Sequence, residues 1–462
     1  MASSGGAAEG GTGASLLPGF QCIVRIRPPL PSDKEAPSVT WDEAADKIIV
    51  QGQPTSREYV GFPLVVPPGI SQEDAFRRMN VDGFVDAILS GFHATIMAYG
   101  QTSSGKTHTV IGSTQALDGI VPQAIERIFA RKNDRTSKTV KIKASFIEIG
   151  NAPGLVNECI TDLLDPKKTN LAIRQNEKRE PYIADLTMVE CDTADDAIMV
   201  LQEGAKFRRT SSTKMNARSS RSHSLFTLYV DLPDLQRFAK FQFVDLAGSE
   251  RVKSTGAEGV TLKEAQTINK SLFTLAQVIM ALTQGKSNAH VPYRNAKITE
   301  LLSDSFGGNA YCMMITCINP CSADESNQTL QYATRALNIE NRPVANRLPD
   351  SASTAKSNQL AAENARQEAA ELFAAEKASM SSENAALIEQ LEQMRRQNED
   401  MQLQMNRLHE DMQVQENNHN NNPQEQDPLP HGYTNALGSS YQPHPHQPPS
   451  HFMGQLPPLG SI

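Results

Sequence analysis

Ala94-Thr95-Ile96-Met97-Ala98-Tyr99 runs directly into Gly100-Gln101-Thr102-Ser103-Ser104-Gly105-Lys106-Thr107. The first run reads as a buried strand. The second fits GxxxxGK[ST], a turn whose glycines let backbone N–H groups close around phosphate oxygens without a Cβ in the way. Lys106 supplies a positive charge for β- and γ-phosphates, and the Thr107 hydroxyl can ligate Mg²⁺. A helix beginning at this point would aim the positive end of its dipole at the same anion. Strand, loop and helix in that order predict a phosphate cradle at the edge of an α/β sheet.

Outward from the cradle, QCIVRIR, KIKASFIEIG, FTLYVDL, FQFVDLAG and YCMMITCI are further strand candidates. Helical patterns such as SQEDAFRRMNVDGFVDAILSG and INKSLFTLAQVIMALTQG lie between them. This interleaving predicts an α/β fold, a central mostly parallel β-sheet with helices on both faces. Two loops could complete a phosphate site. Asn216-Ala217-Arg218-Ser219-Ser220-Arg221-Ser222-His223 is by itself a polar turn. Asp245-Leu246-Ala247-Gly248-Ser249-Glu250 follows the apolar run FQFV. An acid at a strand end behind a phosphate loop suits water-mediated Mg²⁺ binding, and a glycine three positions on can offer its N–H to a γ-phosphate.

AYGQTSSGKTHT, NARSSRSHS, DLAGSER and HVPYRNAKITELL, in this order, resemble the kinesin motor domain over about residues 20–346. That resemblance implies a P-loop NTPase of the kinesin motor fold with ATP and Mg²⁺ as ligands. It implies that Gly100, Gln101, Thr102, Ser103, Ser104, Gly105, Lys106, Thr107 and His108 bind nucleotide together with Arg25 and Pro28 of RIRP. Ser219 and Ser220 would close over Mg²⁺ and the attacking water. Thr107, Ser220 and Asp245 would hold the metal, the last through water. Arg221 and Glu250 would form a closing salt bridge, with Gly248 on the γ-phosphate and Glu250 on the proton path. Lys253, Lys263, Lys270, Arg294 and Lys297 would meet the acidic surface of microtubules. Residues 339–346, IENRPVAN, resemble a neck linker after an N-terminal motor, which implies plus-end-directed movement, with Ile339 entering an apolar pocket and Asn346 latching the zipped strand.

The chain also departs from the family pattern. EIGNAPGLVNECITDLL carries extra residues, Gly150 to Val156, read as an inserted surface loop. Glu300 and Glu340 replace frequent basic residues, and the TQGKSNAH loop holds only Lys286, so single-head attachment is expected to be weak. A long linker between Asn346 and Phe373 is expected to give poorly coordinated heads and short runs.

Beyond the neck, Phe373, Met380, Leu387, Met394, Met401 and Leu408 fall on heptad position d. Lys377, Asn384, Leu391, Asn398, Met405 and Met412 fall on a. This predicts a parallel homodimeric coiled coil, with Asn384 and Asn398 favouring register at some cost in stability. The chain of 462 residues thus divides into a flexible leader (1–19), a motor domain with neck linker (20–346), a linker (347–369), a coiled coil (370–416) and a disordered low-complexity tail (417–462).

A formal net charge of -8 excludes a general nucleic-acid coat, so an anionic partner must be met by a local basic patch. No run approaches the roughly 20 apolar residues of a membrane span, and Met1 to Gly19 lack a secretory pattern. Six cysteines without a CxxC pair read as reduced thiols. A cytoplasmic, cytoskeleton-associated protein is expected. An adaptor that binds filaments without turnover, and an unrelated P-loop ATPase carrying a coiled coil, remain as alternatives; ATP hydrolysis with and without microtubules separates all three.

Overall fold

The computed structural model describes residues 17–348, apart from 53–54, 114–115, 135–138, 152–157, 177–178, 214–217, 251–258 and 285–289, and also residues 385–386, 388–407 and 410–411. Contacts divide the chain into two units, Met1–Arg366 and Gln367–Ile462.

In chain order the strands of the first unit are β1 (Phe20–Ile26), β2 (Val39–Asp42), β3 (Lys47–Val50), β4 (Arg57–Val60), β5 (Val65–Val66), β6 (Ala94–Tyr99), β7 (Lys141–Asn151), β8 (Glu158–Asp162), β9 (Ile173–Gln175), β10 (Pro181–Ile183), β11 (Val189–Cys191), β12 (His223–Leu232), β13 (Arg237–Asp245), β14 (Tyr311–Ile318) and β15 (Asn346–Arg347). The helices are α1 (Gln72–Arg78), α2 (Val81–Leu89), α3 (Lys106–Val110), α4 (Ile120–Asp134), α5 (Ala194–Thr213), α6 (Gly259–Thr283), α7 (Lys297–Leu301) and α8 (Ala323–Ala336). The main sheet runs β11-β7-β12-β13-β6-β14-β1-β5, with β8 added to β7 and β15 to β13.

The sheet is mixed rather than mostly parallel. β13, β6, β14, β1 and β5 are parallel neighbours, whereas β11, β7, β12 and β13 pair antiparallel. The cause is local: β12 and β13 are joined by a short turn at Pro233–Leu235, closed by Gln236 in the left-handed region at φ 50°. So short a connection permits only a hairpin, because a parallel crossover needs a dozen or more residues.

That mixture builds the site. β6 and β13 run parallel with Ala98 opposite Asp245, so both chains leave the sheet at the same edge. β12 runs the other way, with Ser224 opposite Asp245, so it enters at that edge. Two loops leaving and one arriving are thereby placed side by side.

Alternation along β6 sends Ile96 and Ala98 into one core and Met97 and Tyr99 into the other. The first core is closed by α1, α2, α4 and α5, the second by α6, α7 and α8. The segment from Ser71 to Gly91, read from sequence as one helical pattern, is two helices. Asn80 adopts φ 52° between α1 and α2 and interrupts the helix there, and Phe76 and Phe84 on either side are both fully buried. Gly150 and Asn151, expected in the inserted loop, instead extend β7 and pair with Cys159 and Glu158. The rest of that loop, from Ala152 to Val156, lies outside the described residues.

In the second unit residues 388–407 are helical. Leu391, Met394, Met401 and Met405 are each more than half exposed there (60%, 56%, 59% and 67%), so the expected seam carries no cover from its own chain among the described residues. Arg395 and Glu399 pair at 3.5 Å along the helix. The leader to Leu16, residues 349–384, the remaining heptad positions Phe373, Lys377, Met380, Asn384, Leu387, Leu408 and Met412, and the tail lie outside the described residues. Among the described residues no helix is long and apolar enough to cross a membrane.

Candidate nucleotide site

The cradle begins where β6 ends. A Cβ on Gly100 would lie 2.3 Å from the carbonyl oxygen of Cys317 on β14, so only glycine lets the loop leave between the two strands. Gly105, at φ 97°, turns the chain into α3. Lys106 is 8% exposed, and its ammonium folds back over the loop, donating to the carbonyls of Gly100 at 2.9 Å and Gln101 at 2.8 Å. Burial pushes its pKa down, while Asp245 and Glu250 oppose the shift. Ser104 Oγ and Gln101 Oε1 are buried with no hydrogen-bond partner among the described residues.

Asp245 is the centre of the site. Its Oδ2 accepts from the Thr107 hydroxyl at 2.7 Å and from Arg208 at 2.8 Å. Its Oδ1 is buried and has no hydrogen-bond partner among the described residues. A hydroxyl beside a carboxylate with one open oxygen is a hard-oxygen donor set that fits Mg²⁺ completed by water and phosphate. Arg208, on α5, also donates to the carbonyl of Ser222 at 3.1 Å and lies 3.7 Å from Glu148. Ser222 Oγ in turn donates to Glu148 at 2.6 Å.

The other two loops meet backbone to backbone. Ser220 lies in a 3-10 turn, Arg218–Arg221, and its carbonyl accepts the N–H of Gly248 at 2.9 Å. Ser249 N–H reaches Gly100 O at 3.1 Å. Glu250 is seated on the cradle: its carboxylate accepts from the Thr102 N–H at 2.7 Å and from the Thr102 hydroxyl. Asn216 lies outside the described residues, as does the side chain of Ser219.

On the base side, Arg25 donates to Thr109 Oγ1 at 3.1 Å, and Gln72 donates to the His108 carbonyl at 2.6 Å and lies 3.2 Å from its Nδ1. Pro28 precedes a loop whose Asp33 grips Arg27 through both carboxylate oxygens, at 2.8 and 2.5 Å. Arg27 then donates from Nε to the Ser103 carbonyl at 2.7 Å. Sequence reading missed Arg27, Arg208 and Glu148. Two of them had a signal. Arg27 shares a strand face with Arg25 by alternation, and Glu148 is a charge inside an apolar strand run. Arg208 had none, because its helix position becomes buried only when α5 packs on the sheet.

Of the expected filament contacts, Lys270 on α6 and Arg294 are exposed and Lys297 at the start of α7 is half-buried. α6, α7 and the turn at Arg294 pack together, which brings these three onto adjoining elements. Arg294 donates to Gln175 at 3.1 Å. Lys253 and the side chain of Lys263 lie outside the described residues. In the neck segment Ile339 is 4% exposed, in the second core. Asn346 pairs with Phe238 of β13, donates its N–H to Gly91 O at 2.8 Å, and accepts from Asn309 at 3.0 Å.

Three converging loops around a lysine and a Mg²⁺-suited carboxylate define a P-loop nucleotide-binding protein. A model described as the kinesin motor domain matches residues 25–339, and the chain belongs to that family. Its relatives include the kinesin-like protein KIN-12F of Oryza sativa subsp. japonica, 40% identical over 353 residues that cover 71% of this chain and 12% of that one. A solved fast kinesin aligns at TM-score 0.64 and 32% identity, covering 72% of this chain and 95% of its own. A KIF14 dimer in a two-heads-bound state, with AMP-PNP and in complex with a microtubule, aligns at 0.63 and 31%, covering 72% of this chain and 97% of its own. Matches span between 12% and 29% of the length of the first curated relatives.

Proposed function

We propose that this chain is a microtubule-stimulated ATPase that converts hydrolysis into movement, with plus-end direction following from a neck placed after the motor core. The observation that carries the proposal is the meeting of the three loops, Gly248 on Ser220 and Ser249 on Gly100, beside Asp245, whose Oδ1 is left open.

In this account Lys106 exchanges its two carbonyl partners for the β- and γ-phosphates of ATP. Thr107, Ser220 and Asp245 would hold Mg²⁺, which when bound neutralises charge between the β- and γ-phosphates. Gly248 has a single N–H, now donated to Ser220 O. Offering it to a γ-phosphate oxygen must break that bond, so the two loops necessarily rearrange when the terminal phosphate arrives. Glu250, seated on Thr102, would also pair with Arg221. Ser219, Ser220 and Arg221 then close the site over water, with Glu250 receiving the proton. Positioning and charge stabilisation supply most of the rate, so no strong general base beside the phosphate is required. Gly100 to His108, Arg25 and Pro28 hold the nucleotide in place.

On the track side, Lys253, Lys263, Lys270, Arg294 and Lys297 would face tubulin, giving salt-sensitive binding. The seam over 370–416 would join two chains in a parallel homodimer, and the protein would reside on the cytoplasmic cytoskeleton. The neck contacts of Ile339 and Asn346 support a linker that zips along the core. A pelleting assay with microtubules at rising salt tests the track surface. Progressive release with salt is expected; binding indifferent to salt contradicts it.

A further inference from the structure

Gln72 is the first residue of α1, whose start is fixed by Ser71: the Ser71 Oγ accepts the N–H of Asp74 at 3.0 Å. The Gln72 side chain crosses to α3, which is only five residues long and ends with carbonyls that a longer helix would satisfy internally. One of them is the carbonyl of His108. Gly112, which would donate to it in a regular helix, donates instead to Thr107 O at 3.2 Å. Gln72 Nε2 takes that place, donating to His108 O at 2.6 Å. The same nitrogen lies 3.2 Å from Nδ1 of the His108 ring.

These two distances fix the chemistry of the ring. A carbonyl oxygen can only accept, so the Gln72 amide must present its nitrogen here and not its oxygen. That nitrogen carries two protons and is a donor only, so Nδ1 must accept the second of them. Nδ1 is therefore bare, the ring is neutral, and its one proton sits on Nε2. Nε2 makes no hydrogen bond among the described residues, and His108 is exposed. The surroundings favour the same state. Partial burial and the Arg25 guanidinium on β1 lower the pKa of His108, against an opposing pull from Asp118 in the loop before α4. Arg25 is itself held on the neighbouring residue, donating to Thr109 Oγ1 at 3.1 Å.

We propose that Gln72 is a positioning residue for the nucleobase: it fixes His108 as a neutral ring with its proton on Nε2, and so presents an N–H donor and an uncharged face to the base of the bound nucleotide. The proposal deepens, and rests on, the reading that His108 lies against the nucleotide. A base laid on the ring would exclude water from the Gln72 contacts and strengthen them. The triphosphate, held through Lys106 and Thr107, does not need this pair.

The test uses the whole chain carrying Gln72→Glu, which retains the length of the side chain but can only accept. The new carboxylate should repel the His108 carbonyl and draw a proton onto Nδ1. In nitrogen NMR spectra of histidine-labelled protein, His108 is assigned by the loss of its signals in His108→Ala. The unaltered chain should show a bare Nδ1 and a protonated Nε2. In Gln72→Glu a proton should appear on Nδ1, and the titration midpoint should move up because a carboxylate favours the charged ring. The KM for ATP in basal turnover should rise about fivefold, the worth of one net neutral hydrogen bond, with a much smaller change in kcat. Gln72→Met, which fills similar space without a donor, should raise the KM in the same sense. Competition by tripolyphosphate with Mg²⁺, which has phosphates and no base, should be unchanged in both variants. A protonated Nδ1 in the unaltered chain overturns the proposal, as does an unchanged KM in both variants. Equal weakening of ATP and tripolyphosphate also overturns it, since that marks a general effect of charge or packing. If His108→Ala leaves ATP affinity unchanged, the reading of His108 as a nucleotide contact fails and this proposal with it.

Discussion

Asp245 illustrates how much one side chain can decide. Through a single oxygen it holds the cradle hydroxyl of Thr107 and the buried guanidinium of Arg208, while the other oxygen stays open. Asp245→Asn would therefore do two things. It would remove one of the two carboxylates beside Arg208, which is only 5% exposed and keeps Glu148 at 3.7 Å, and so destabilise the fold by about 1–3 kcal/mol; urea unfolding measures this, and an unchanged midpoint would contradict it. It would also weaken the Mg²⁺ dependence of nucleotide binding. Lys106→Ala is a cleaner cut, since its partners are loop carbonyls that can turn to water. Turnover should fall by roughly 100-fold or more with the fold intact, and retention of turnover would contradict its role. At this scale the sequence was informative about the cradle residues, because the turn between β6 and α3 demands glycine at Gly100 and Gly105 at a set spacing. It was silent about Arg208, whose role is created by packing.

Among elements, strand register does what no local pattern announces. The apolar runs of β6, β13 and β14 were legible as strands, since a strand buried on both faces must be almost wholly apolar. Their order, and the reversal at β12, were not, because hairpin and crossover differ in connection and not in strand composition. The same holds for α1 and α2, where Asn80 at φ 52° interrupts a pattern that is helical on both sides. The neck shows the reverse case. Its expected contacts, Ile339 and Asn346, are both made, and Asn346 alone contributes a strand pair and side-chain bonds to Asn309, Val344 and Gly91. Asn346→Ala should leave basal hydrolysis intact and free the neck. All six native cysteines are buried, so a spin label on Leu348→Cys reports the neck alone. A sharpened spectrum is expected in the Asn346→Ala chain; an immobile label would contradict the latch.

Over the whole molecule, the motor unit and the helical unit answer to different physics. The first is held by two apolar cores on either side of one sheet. The helix over 388–407 leaves Leu391, Met394, Met401 and Met405 in water, which a second copy can cover at heptad spacing. Leu391→Asp should shift the sedimenting species from dimer to monomer without loss of ATP hydrolysis per head, whereas a monomeric unaltered chain would contradict the proposed dimer. The loops after β6 and β13 and the loop before β12 meet at one edge of the sheet, where the proposed function places ATP hydrolysis under the influence of the track. The most direct test of that central claim is steady-state ATP hydrolysis by the whole chain, measured with and without microtubules. The account predicts slow basal turnover that rises steeply and saturably with microtubule concentration; turnover that is absent, or that ignores the filament, would contradict it.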